Sequence, residues 1–359
     1  MSKASMTPGE LYINRDRDFK TGEWGPYVKI GIVREDRDSK DRASEHQTGN
    51  PREVVLLHTF LSPMVDRLET LLHNIYSTRR VSGEWFEMDQ DFVENILIPK
   101  INELVKEQDT EVIYFIARSE NSKLESNGKS KDVTVEDMKL YDIYSDLYKN
   151  NQLLEAEIDI IKAKLVESMG SSGGISGILG LQQKTSDGSF DQKQFAENEP
   201  KLFSKYVEIK PEQIGNVKGS LRIKSTCRLS EINENLDKKV KESKKIMKEI
   251  KFEQGMNELS QRSENQKELH QIYLEKLGRS FVIKHNIECV KADFGKRIGD
   301  YESIGDLVTW KRERKITPQK EFFNSAEFKK NHPDLFEKYK SEPKFSISTV
   351  VSKMRSYPF

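Results

Sequence analysis

The amino-acid sequence predicts an α+β protein: a small mixed α/β unit followed by a helix-rich region with two pseudo-repeats. Three observations carry this. Over residues 9–118, runs of aromatic and β-branched residues alternate with amphipathic helix patterns. Beyond residue 138 the apolar spacing is mainly helical and the intervening positions are charged. The chain also matches itself at an offset of 129 and then of 133 residues. Its 359 residues leave room for two or three domains.

In order along the first unit, ELYINRD (from Glu10) and YVKIGIV (from Tyr27) read as strands joined by the turn-rich DFKTGEWGP. A helix is expected around Lys40–Gln47 and a strand at EVVLLHTF from Glu53. In MVDRLETLLHNIYSTRR, Val65, Leu68, Leu71, Leu72 and Ile75 share one helix face. A second helix, Phe92–Glu107, carries Val93, Ile96, Ile98 and Ile101, and EVIYFIA closes the unit as a strand. Residues 119–137, rich in Ser, Asn, Lys and Glu, read as a linker.

Two modules follow, 138–226 and 269–350. Seven identities fall at the first offset, from Leu140/Leu269 to Ile175/Ile304, and eight at the second, from Phe190/Phe323 to Tyr206/Tyr339. Each copy is expected to be a long helix ending at Gly170 or Gly299, a β-like segment, a short helix at P-x-LF-x-KY, and an alternating segment, SLRIK or KFSIS. Residues 227–268 between them hold a charged amphipathic helix carrying Ile232, Leu236, Val240, Met247 and Ile250.

Composition narrows the function. Lys plus Arg and Asp plus Glu are 59 each, so a uniformly basic nucleic-acid coat is excluded while local patches are not. With 33% charged and 35% hydrophobic residues, small cores joined by charged helices fit better than one large core. No apolar run approaches the roughly 20 residues of a membrane span, and the N-terminus lacks a signal-peptide stretch. With two cysteines, Cys227 and Cys289, neither a disulfide framework nor a Cys-based zinc site is expected. The expected location is cytoplasmic.

The chemistry-bearing residues lie in the first unit: Tyr12 in ELYI, Lys29 and Gly31 in YVKIG, Arg42 and His46 in DRASEHQTGNP, Glu69 and His73 in LETLLH, and Glu84 in GEWF. This series, over about 80 residues from Glu10 to Phe86, resembles the GIY-YIG nuclease superfamily, specifically its phage-type, meiotically up-regulated subgroup. The resemblance implies metal-dependent cleavage of a DNA phosphodiester. It places Tyr12 at the first tyrosine, implicated in activating water, and Lys29 where many members carry a second tyrosine. Arg42 takes the catalytic arginine position, His46 the histidine one turn later, and Glu69 the single metal-binding carboxylate for magnesium or manganese. Gly31, His73 and Glu84 are supporting positions.

The residue types suit that chemistry. A guanidinium meets the charge of a phosphodiester transition state with two parallel hydrogen bonds. Magnesium keeps most of its waters and binds through one or two carboxylates. A tyrosine of pKa about 10 needs a cation to steady its phenolate, and Lys29 on the adjacent strand is the expected one. Arg42/His46 and Glu69/His73 are each four apart and share a helix face. Glu69 with His73 lacks the third ligand of a zinc site, and Trp85 and Phe86 read as packing behind the Glu69 helix.

The repeats carry no catalytic set and are loosely similar to tails that follow the YqaJ-type exonuclease core of phages. From Trp310 to Lys320, Lys311, Arg312, Arg314, Lys315 and Lys320 against Glu313 give +4, whereas Leu181–Asp191 in the first copy gives −1. With Trp310 for base stacking, this segment is expected to touch DNA. The expected function is a metal-dependent DNA endonuclease of phage defence, restriction or a mobile element, with a homodimer or partner protein engaged through the repeats and charged helix. The rival is a non-catalytic interaction protein with a decayed nuclease domain.

Overall fold

The computed structural model describes residues 6–34, 39–48, 50–224, 227–249 and 258–357. β1 (Gly9–Arg17) and β2 (Trp24–Arg34) form an antiparallel hairpin in which Tyr12 faces Gly31 and Asn14 faces Lys29. After α1 (Ser39–Gln47), β3 (Glu53–Ser62) pairs with the other edge of β1. α2 (Val65–Ile75) then lays Val65, Leu68, Leu71 and Leu72 into the core with Leu11, Ile13, Val28 and Ile30. β4 (Arg80–Ser82) and β5 (Trp85–Glu87) turn at Gly83, whose φ of 51° suits glycine. They complete a sheet of order β3-β1-β2-β5-β4. GEWF therefore enters as a strand beside β2, with Phe86 fully buried against His73.

α3 (Gln90–Phe92), capped by Asp89, continues through a π-helical stretch, Val93–Leu97, into α4 (Ile98–Asn121). Pro99 has no N–H for the carbonyl four residues back, and the wider turns before it absorb the mismatch. That shifts the register: Leu97 joins Val93, Ile101 and Leu104 in the core, and Ile96 is 48% exposed rather than inward. EVIYFIA, expected as a strand, is part of α4. A β-branched residue costs a helix only about 0.5 kcal/mol. Burying Phe115 against Met64 and Ala292 gains roughly 1.5–3 kcal/mol and decides the matter.

Residues 119–137 hold the end of α4 and then bind the distant second module. The Ser126 and Asn127 amides donate to the carbonyls of Arg312 and Asp300. β6 (Ser130–Lys131) pairs in parallel with Ser303–Ile304. Thr134 and Asp137 form a capping box on α5 (Val135–Ser168). The chain continues through β7 (Gly174–Ile175), β8 (Leu179–Ser186), α6 (Gln192–Asn198), α7 (Pro200–Lys205), β9 (Val207–Lys210), β10 (Gln213–Lys218) and β11 (Arg222–Ile223). The charged helix is α8 (Leu229–Ile232) and α9 (Glu234–Glu249), broken at Asn233. Val240 is buried and Met247 packs on the core of α5, while Ile250 lies outside the described residues. Next come α10 (Glu264–Ile298), β12 (Ser303–Ile304), β13 (Val308–Thr309), β14 (Glu313–Thr317), β15 (Lys320–Phe323), α11 (Ser325–Asn331), α12 (Pro333–Lys338) and β16 (Lys344–Val351).

α5 and α10 run antiparallel and meet at matched positions. Ser280 Oγ donates to Asn151 Oδ1 at 3.1 Å, both buried, 129 residues apart. Each end of the pair closes a separate core: Leu165, Val166 and Met169 take Tyr273 and Leu274, and Phe294 and Ile298 take Tyr144. The strands exchange in the same sense. Gln183 pairs with Ile347 and Ile214 with Ile316, and a shift of 133 turns Gln183 into Ile316 and Ile214 into Ile347, so each pair is the counterpart of the other. Gly170 and Gly299 follow their helices at φ of 62° and 56°, and Pro200 and Pro333 open α7 and α12. By this register the counterpart of KFSIS in β16 is β10, not SLRIK. SLRIK supplies β11, which pairs with β13.

α10 also supports the first unit. A Cβ on Gly278 would lie 2.4 Å from the Asn74 carbonyl oxygen, whereas on Gly295 it would meet the Arg118 side chain. Gly278→Ala should therefore lower the melting temperature. Overpacking of about 1–3 kcal/mol outweighs the roughly 1 kcal/mol that alanine gains in a helix. Gly295→Ala should lose less, because Arg118 can move; thermal denaturation of both variants checks the order.

Candidate active site

Tyr12 and Asn14 on β1 project to the same side of the sheet as Lys29 and Gly31 on β2, since alternate residues share a face. The Tyr12 ring crosses Gly31 so closely that an added Cβ would sit 2.4 Å from Oη. Gly31 is thus required by the tyrosine. α1 is fixed beside this face by Ser39 Oγ donating to Glu10 Oε2 at 2.6 Å. At its other end the Val54 amide donates to Gln47 Oε1 at 2.7 Å. Gln47 Nε2 donates to the carbonyls of Asn50 and Arg52, so the polar run after His46 is a clasp between α1 and β3. Gly49 of that run lies outside the described residues.

The clasp delivers Arg42 and His46 to the sheet. Arg42 hydrogen-bonds the Tyr12 hydroxyl and also Glu45 Oε2. Lys29 Nζ is 2.7 Å from His46 Nε2 and 3.3 Å from Glu84 Oε2. The cation beside the phenol is therefore Arg42, not Lys29, whose ammonium is engaged by His46 and Glu84. Asn14 Nδ2 lies 3.3 Å from His46 Nδ1, so both ring nitrogens face a donor group and the neutral imidazole accepts from one of the two.

Burial and the carboxylates of Glu84 and Glu69 push the Tyr12 phenol up to about 12, against the pull of Arg42. Burial, with Glu84 and Asp66, raises Glu69 to about 7, while Arg80 and Arg34 oppose. Burial, Lys29 and Arg42 lower His46, so it is neutral near pH 7. His73 falls to about 4 through burial. Its Nε2 donates to the Ile30 carbonyl at 2.9 Å, so it ties α2 to β2 instead of facing the cluster.

Tyr12, Lys29, Arg42, His46, Glu69 and Glu84 are thus brought within one electrostatic neighbourhood. Sequence reading missed Asn14, whose buried position two residues after Tyr12 was its only signal, and Arg80, the cation that feels both acids. In the second module the expected DNA-binding set divides. Trp310 and Arg312 are buried, and the Arg312 guanidinium stacks on Trp310 while donating to the carbonyls of Asn121 and Tyr301 at 2.6 and 2.8 Å. An Arg–Trp pair that looked like a nucleic-acid contact fastens α4 to the second module. Lys311, Arg314 and Lys315 are exposed, the first two paired with Glu313 and Glu125.

Residues 9–99 match the T5orf172 domain. The match begins at β1 and ends in the first turn of α4, so it covers the whole sheet and every residue of the cluster. T5orf172 is a phage-associated domain of endonuclease context, which points to nuclease-like or DNA-binding chemistry. No curated protein and no solved structure matches the chain. Outside the T5orf172 segment, Glu111, His285 and Cys289 form a group able to hold a metal ion. No helix among the described residues is long and apolar enough to cross a membrane.

Two outcomes follow from burial. Arg312→Gln should lower the melting temperature, since it leaves the carbonyls of Asn121 and Tyr301 short of a donor, at about 1–3 kcal/mol for each buried group left unpaired. Arg314→Gln, on an exposed pair, should change it little. Glu69 has a folded pKa of about 7 against an ordinary 4.5, so holding it ionised penalises the fold increasingly between those values and fully above them. Glu69→Gln should therefore be more heat-stable than the wild type at pH 8, with the advantage vanishing near pH 4.5. Melting curves across pH measure it.

Proposed function

We propose that the chain is a metal-dependent DNA endonuclease of GIY-YIG type, acting through Tyr12, Lys29, Arg42, His46 and Glu69. The observation that carries this reading is the gathering of Tyr12, Lys29, Arg42 and His46 at the β1–β2 hairpin, within electrostatic reach of Glu69 on α2, inside the T5orf172 match. Glu69, with Glu84 in its neighbourhood, offers carboxylate oxygens, and its upward shift comes chiefly from burial, which a bound cation would offset. An oxygen donor set suits magnesium or manganese. Such an ion supplies charge neutralisation at the phosphate and the leaving 3′ oxygen.

The side chains then divide the work. The Arg42 guanidinium reaches non-bridging phosphate oxygens while its bond to Tyr12 favours the phenolate, easing transfer of a water proton. His46 is neutral and accepts a proton at Nε2 once Lys29 moves fully to Glu84. His73 and Gly31 position α2 and the Tyr12 ring. Lys311, Arg314 and Lys315 form an exposed basic edge for the DNA backbone, and the setting we infer is phage defence, restriction or a mobile element.

The test is nicking of supercoiled plasmid by purified protein. Cleavage should require magnesium or manganese, stop with chelator and be lost in Glu69→Gln. In Arg42→Gln it should fall by roughly 10²–10³-fold. At sub-saturating metal, activity should fall about tenfold per pH unit below pH 7, because the ion needs the ionised Glu69. Replacing Lys311, Arg314 and Lys315 by Gln should flatten the salt slope of duplex affinity by up to about 2.7. DNA binding without cleavage under any metal would favour the interaction-protein reading.

A further inference from the structure

One set of ligand-type side chains is independent of the active-site reading. Glu111 projects from α4, and His285 and Cys289 lie four apart on α10 and share a face. His285 Nε2 is 3.5 Å from Glu111 Oε2 and 3.7 Å from Cys289 Sγ. A tetrahedral zinc, with bonds of about 2.0–2.1 Å to nitrogen and oxygen and about 2.3 Å to sulfur, needs separations of about 3.3 Å and 3.6 Å. The side chains already stand within a few tenths of an ångström of those values. The site is largely enclosed, with the His285 side chain 10% and the Glu111 side chain 19% exposed. Glu111 Oε2 is shut off from solvent without a hydrogen bond of ordinary length among the described residues.

The donor chemistry selects the ion. Thiolate and imidazole with one carboxylate favour zinc, whereas magnesium prefers oxygen ligands and its own waters. Arg67 is the competitor. Its Nε lies 3.1 Å from His285 Nδ1 and its Nη2 is 3.8 Å from Cys289 Sγ. Since arginine only donates, Nδ1 accepts and the imidazole proton sits on Nε2. An ion bound at Nε2 requires that proton on Nδ1, where Arg67 can no longer donate. Arg67 is on α2, two residues before Glu69.

We propose that Glu111, His285 and Cys289 form a zinc site that clips α4 to α10 and is held shut by Arg67 until the ion displaces it. In that exchange the imidazole proton moves from Nε2 to Nδ1 and the Cys289 thiol proton leaves to solvent. One proton is released per ion, and the thiolate, the imidazole and the Glu111 carboxylate become ligands. The fourth position is left to water.

The experiment uses the full chain titrated with Co²⁺, whose thiolate charge-transfer band reports a sulfur ligand and is silent for an all-oxygen site. One equivalent should produce the band in the wild type and in Cys227→Ser, and none in Cys289→Ser. Zinc should abolish the band by competition and raise the melting temperature of the wild type but not of Cys289→Ser. Arg67→Ala should bind Co²⁺ at least about tenfold tighter, by removing the competing donor and a like charge. Absence of the band in both the wild type and Arg67→Ala overturns the site. A band retained in Cys289→Ser also overturns it, and unchanged or weaker affinity in Arg67→Ala overturns the competition.

Discussion

Ser280 donates to Asn151 where α5 and α10 cross, and from that pairing α10 reaches α4, α2 and the turn that follows α2. Its backbone at Gly278 touches the Asn74 carbonyl at the end of α2. Ser77 Oγ donates to the Leu274 carbonyl at 3.0 Å, and Asn121 Nδ2 to that of Gly295 at 2.9 Å. The helix that carries Glu69 is therefore backed by a helix from the second module. A close helix–backbone approach of this kind tolerates little added volume, because interiors are packed near solid density. The geometry of the cluster on the sheet depends on residues some 200 positions downstream.

The cluster holds its charges in an unresolved balance. Burial works against the ionised forms of Tyr12, His46 and Glu69, and cations and carboxylates are interleaved: Arg42 with Tyr12, Lys29 between His46 and Glu84, Arg80 near Glu69. The fold thus keeps a phenol, an imidazole and a carboxyl protonated or neutral under conditions in which a bound anion and cation would shift all three. Perturbed groups of this kind are concentrated where chemistry occurs. His73 shows the contrast: equally buried, it is neutral and fully used in tying α2 to β2.

The second half is built by exchange. Neither long helix buries its apolar stripe alone, and each core draws one helix end from each copy. The strand pairs β8–β16 and β10–β14 likewise join the copies, so neither module completes its own sheet. Such non-local pairing makes the copies interdependent in folding. It also frees the exposed strand edges to diverge in charge while the buried positions stay matched.

Local pattern alone determined much of this protein. Alternation set β1 and β2, the Leu68–Leu72 stripe set α2, and the spacing of like residues set the 129- and 133-residue correspondence, because burial on one face imposes a period wherever the element sits. The set Tyr12, Lys29, Arg42, His46 and Glu69 was legible through the resemblance of its ordered motifs to the GIY-YIG nucleases, while helix periodicity added only that Arg42 and His46, and Glu69 and His73, share a helix face. Tertiary structure decided the rest. EVIYFIA became helix because Phe115 had a partner on α10, a contact no local window contains. Arg312 and Trp310 turned inward because two carbonyls, one of them at Asn121, were waiting for the guanidinium. Glu111, His285 and Cys289, remote in sequence, met only because α4 and α10 pack. Periodicity reports which face of an element is buried, but which partner meets that face is settled only when the chain closes on itself.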